Sequence, residues 1–166
     1  GFFLEKESPK QGSKYEGMPA LLECELEMVH VALCELYRQL NESDLFLGVW
    51  KKRATCPSTL SALNFDQRGE FEKAQNMYLN CMTDAASTDA AVLASIGNPS
   101  TTEAYLWESR WIECAKQMND WDILTEFSRS VIYTDLLHEC LWRVPDWAAL
   151  KELLAKHPLE DPVRLR

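Results

Sequence analysis

Gly69-Glu70-Phe71-Glu72-Lys73-Ala74-Gln75-Asn76-Met77-Tyr78-Leu79-Asn80-Cys81-Met82 reads as the second half of a helix-turn-helix repeat. The glycine is followed two residues on by an aromatic, then at steps of three, four and three by a small residue, a second aromatic and a second small residue. Gly69 lets the chain turn tightly where a side chain would obstruct it, and Phe71 is placed to enter the groove between two antiparallel helices. Ala74 is small because two helix backbones cross there, and Met77, Tyr78, Cys81 and Met82 continue the apolar stripe through the following turns. A single unit of this kind cannot bury its own face. The stretch therefore predicts neighbours of the same kind, stacked in an all-α solenoid.

The preceding residues supply the partner helix. Thr55-Cys56-Pro57 starts it, because proline in a first helical turn loses no hydrogen bond, and Leu60 and Leu63 give it an inner face before Gly69 ends it. Asn41-Glu42-Ser43-Asp44 supplies turn and capping residues for a short helix through Leu45, Val49 and Trp50 to about Ala54. Further back, Leu22, Leu26, Val29, Leu33, Leu36 and Leu40 recur at alternating steps of four and three, with Glu23, Glu25, Glu27 and Glu35 off that seam. This is a long amphipathic helix beginning near Ala20. Three heptads could make a dimeric coiled coil, but a helical hairpin follows at once, so intramolecular packing is expected.

Downstream, residues 86–102 are small and polar around Val92-Leu93-Ala94 and read as a surface insertion between repeats. Ser100-Thr101-Thr102-Glu103 has capping-box spacing, and a helix follows through Ala104, Trp107, Trp111, Cys114 and Met118. Asn119-Asp120-Trp121-Asp122-Ile123-Leu124 and Pro145-Asp146-Trp147-Ala148-Ala149-Leu150 each place an acid before a tryptophan, with leucine three residues later. Phe71, Trp121 and Trp147 thus fill one slot in successive, irregularly spaced hairpins: degenerate tetratricopeptide-like repeats. Between the tryptophans, Thr134 is placed to cap a helix carrying Leu137, Cys140 and Leu141, and a final helix ends before His157-Pro158. The expected organisation is an irregular segment at 1–19, a helical-repeat segment at 20–157 and a tail at 158–166.

At 166 residues the chain has room for about four hairpins of roughly 34–40 residues each. It starts at Gly1 without methionine, as an excised piece of a larger protein would. No apolar run approaches the roughly 20 residues that span a bilayer, so no membrane partner is expected. Seventeen basic against 26 acidic residues leave a net charge of −9, the wrong sign for gripping a phosphate backbone, so no direct nucleic-acid binding is expected. Lys51-Lys52-Arg53 reads as a solvated helix end. Six cysteines, Cys24, Cys34, Cys56, Cys81, Cys114 and Cys140, form no CxxC pair and read as reduced, buried residues of an intracellular protein.

Chemistry is sparse. His30 and Cys34 have the i, i+4 spacing of half a metal site but lack a second pair. His138-Glu139-Cys140 resembles the opening of a zinc-deaminase signature without its later cysteines. Every cysteine falls where a thiolate is disfavoured, and no nucleophile elbow, phosphate loop or dinucleotide fingerprint is present. Glu70 and Glu72 lie at a helix start, where they favour the macrodipole. Trp107, Trp111, Trp121 and Trp147 could in principle form an aromatic cage for a cation, but their spacing is that of a core. The reading assigns no catalytic, cofactor-binding or metal-binding residue, no cofactor and no enzyme activity.

Leu36-Tyr37-Arg38-Gln39-Leu40-Asn41-Glu42-Ser43-Asp44, Gly48-Val49-Trp50-Lys51-Lys52-Arg53 and the Gly69 to Met82 stretch together resemble the FAT region of the phosphatidylinositol 3-kinase-related kinase family. Leu106-Trp107-Glu108-Ser109-Arg110-Trp111-Ile112-Glu113-Cys114, Asn119-Asp120-Trp121, Leu124-Thr125-Glu126-Phe127 and Glu139-Cys140-Leu141-Trp142-Arg143-Val144 continue the likeness in order. It spans roughly Ala20 to Lys156. Within the family the likeness is to the branch whose kinase-like domain has no catalytic function. The resemblance implies a scaffold segment of a very large nuclear pseudokinase, in histone acetyltransferase complexes contacted by transcription activators. Its implied partners are the remainder of the parent chain, acetyltransferase complex subunits and those activators. Two other readings stand beside it: the FAT region of an active kinase, and a freestanding tetratricopeptide module that binds a peptide in its groove. The groove lining of lysine, arginine and asparagine that the last would need is absent from the sequence.

Overall fold

The computed structural model describes residues 18–87, 89, 91–92 and 101–157. Among them lie eight helices and no strand: α1 (Met18–Gln39), α2 (Ser43–Arg53), α3 (Pro57–Gln67), α4 (Phe71–Ala85), α5 (Thr101–Gln117), α6 (Trp121–Ser130), α7 (Thr134–Arg143) and α8 (Trp147–Lys156). The expected N-terminal segment, apart from Met18 and Pro19 in the first turn of α1, lies outside the described residues, as do the tail and most of the expected insertion.

The chain divides into two compact units, 1–49 and 50–166, with the boundary inside α2. In the second unit each helix from α3 to α8 packs against the next in sequence. That nearest-neighbour stacking defines an α-solenoid. Its core is built from Ala62 and Leu63 of α3, Ala74, Tyr78 and Cys81 of α4, Trp107 and Cys114 of α5, Leu124 of α6 and Cys140 of α7, all buried. Ala74 has no exposed surface, as a crossing point of two helices requires.

One turn recurs. Asn41, Gly69 and Asn119 have φ of 58°, 75° and 58°. In each case that residue's N–H bonds the carbonyl three residues back (Asn41 to Arg38 at 3.2 Å, Gly69 to Asp66 at 2.9 Å, Asn119 to Lys116 at 3.0 Å). The next residue's N–H reaches five back (Glu42 to Tyr37 at 2.9 Å, Glu70 to Phe65 at 3.0 Å, Asp120 to Ala115 at 2.9 Å). These are Schellman closures, which satisfy the carbonyls left over at a helix end. A Cβ built on Gly69 would meet nothing within 4 Å, so glycine is needed there for its backbone angle and not, as the spacing suggested, for space. Glu70 and Asp120 then occupy the N-cap positions of α4 and α6 without a side-chain capping bond, and Phe71, Trp121 and Trp147 each become the first residue of a helix.

Three local expectations are corrected. Thr134 does not cap α7: the N-cap is Tyr133, and Thr134 is already helical. Glu103 turns its carboxylate to α3, as described below. Leu26, Val29 and Leu36 on α1, and Leu40 just after it, are exposed, at 56%, 53%, 47% and 60%, so these members of the expected seam are not buried. Within the unit that holds α1, the only other described helical residues are those of α2 from Ser43 to Val49. Two helical turns, about 10 Å, cannot cover a helix about 33 Å long.

Candidate interaction surfaces

Two buried polar clusters fix the register of α3, α4 and α5. Asp66 on α3 accepts both arms of the Arg110 guanidinium of α5, Nε to Oδ2 and Nη2 to Oδ1, each at 2.8 Å. The Tyr78 hydroxyl of α4 donates to the same Oδ2 at 3.1 Å. The Asp66 side chain is 1% exposed and that of Arg110 12%, so this is a buried, bidentate pair with a third helix attached. Burial, then the Asp66 charge, pushes the Tyr78 hydroxyl well above its ordinary range. For Arg110 burial works against the charge, but the bonds and charge of Asp66 prevail and raise it.

Glu103, 1% exposed, performs a tertiary cap. From α5 it accepts the Cys56 N–H at 3.1 Å, the Thr55 N–H at 3.3 Å and the Thr55 hydroxyl at 2.8 Å. These donors sit at the N-terminus of α3, where orphan N–H groups and the macrodipole favour an anion. Burial pushes this carboxyl up, yet the hydrogen bonds from Thr59, Thr55 and the two backbone N–H groups outweigh it and hold it below the usual carboxylate range. Beside it, the Trp107 indole donates to the Thr59 hydroxyl at 2.7 Å, and Arg53 bonds Thr102 at 3.0 Å while stacking on Trp50 at 4.7 Å. Lys51 bonds Gln67. Two members of the basic run are therefore knitted into the fold and are not simply solvated.

No cluster of three or more metal-ligating side chains occurs among the described residues. Cys34, Cys56, Cys81, Cys114 and Cys140 are buried free thiols. Burial raises all of them, Cys81 to about 11 and Cys114 to about 12. His138 is 3% exposed, with no protein hydrogen-bond partner on either ring nitrogen. Trp107 and Trp111 are core residues, but Trp147 is not: it is 55% exposed and meets Trp142, 49% exposed, edge to face at 5.5 Å.

Among the described residues, exposed apolar side chains group at two places and in one turn. One is α1, where Met28 and Val31 are exposed beside the leucine seam. The other is the α7–α8 corner, with Trp142, Val144 and Trp147. The turn between α6 and α7 adds Val131, Ile132 and Tyr133, all exposed, with β-branched Ile132 held at φ 57°. No helix of the described residues is long and apolar enough to cross a membrane.

The second unit is a helical-repeat solenoid whose helices α3 to α5 are held together by two buried polar clusters. The chain is homologous to one segment of the transformation/transcription domain-associated proteins and their Tra1 counterparts. It is 35% identical over 156 residues to the transformation/transcription domain-associated protein of Danio rerio, a match covering 93% of this chain and 4% of that protein. The Homo sapiens protein of the same name gives 35% over 157 residues, with the same two shares, 93% and 4%. The Saccharomyces cerevisiae SAGA complex/NuA4 acetyltransferase complex subunit TRA1 is 40% identical over 123 residues, 74% of this chain and 3% of that subunit. The chain thus spans about 4% of the length of the relatives it matches. No protein-family model matches it.

Proposed function

We propose that the chain is a non-catalytic scaffold segment of FAT type, spanning residues 20–157 and belonging to a large nuclear pseudokinase subunit of histone acetyltransferase complexes. The 40% identity to a relative named as a SAGA and NuA4 subunit carries the reading. The structure supports it through its division of labour: polar groups with hydrogen-bonding work are turned inward, and apolar side chains that need a partner are turned outward. The segment packs against the remainder of its parent and presents surface to complex subunits and transcription activators. The test is to tag the full-length protein, purify it from nuclear extract, identify what co-purifies, and assay acetyltransferase and intrinsic kinase activities. Acetyltransferase subunits without intrinsic kinase activity are expected. Kinase activity abolished by mutating the protein's own kinase domain, with no acetyltransferase present, would overturn the proposal and make these helices the frame of an active kinase.

A further inference from the structure

We draw no further inference here: the strongest candidate, the exposed apolar corner of α7 and α8 where Trp142 and Trp147 meet edge to face, carries nothing because nothing in the structure shows what covers it.

Discussion

Asp66 shows how much one side chain decides here. It holds Arg110 and Tyr78 at once, so Asp66→Ala strips a buried guanidinium of its bidentate acceptor and a buried hydroxyl of its partner. The expected loss is about 3–5 kcal/mol in denaturant unfolding, while Asp66→Leu combined with Arg110→Met should recover most of it, because the cost lies in leaving the charge unmatched. Glu103 makes a prediction in pH. Its carboxyl lies lower in the fold than the ordinary 4.5, so its stabilisation is complete above about pH 4.5 and is lost as pH falls through the folded value. Glu103→Gln should flatten that part of the acid limb in melts across the acid range. At the alkaline end the sign reverses: burial raises Cys81 and Cys114 from 9.0 to about 11 and about 12. The stability they contribute is complete below pH 9 and is lost as pH climbs from there toward 12. Neither acid was legible as a buried group. Asp66 reads as an ordinary helix-surface acid, and Glu103 fits a capping box in its own helix. Only the approach of α3 to α5 reassigns them.

At the scale of the element, the turns separate what the sequence announces from what it hides. Asn41, Gly69 and Asn119 are residues that tolerate a positive φ, and their positions were readable as helix ends. The closure between α6 and α7 uses the same geometry, with Tyr133 N–H reaching the Ser128 carbonyl at 2.8 Å, but it puts Ile132 at φ 57°. A β-branched residue gives no hint of such a turn. Ile132→Asn should therefore stabilise the protein by about 1 kcal/mol, and Gly69→Ala, which meets no steric obstacle, should destabilise it by about 1–2 kcal/mol through the backbone alone. Thermal melts of both variants check this. An unchanged Ile132→Asn melt would mean that the turn relaxes when its side chain is relieved. Phe71, Trp121 and Trp147 share a backbone position, the first residue of a helix. Their burial still differs, because it depends on which neighbouring surface lies above each slot.

For the whole molecule, the hydrophobic period of α1 tells which face is apolar but not what covers it, and the seam expected to pack inward is exposed instead. The same limit does not apply to α3, α4 and α5, where each stripe meets a neighbour in sequence and the two polar clusters fix the fit. The chain accordingly has two compact units that meet inside α2, with the buried side chains concentrated in the second. Stability then follows local burial and not helix length. The 22-residue α1 should open well before the eleven-residue α3. Native-state hydrogen exchange should give α1 amides opening free energies at least about 2 kcal/mol below those of α3 and α4, roughly a 30-fold faster exchange. Uniform protection of α1, α3 and α4 would mean that the two units unfold as one and that the exposed seam costs the fold nothing.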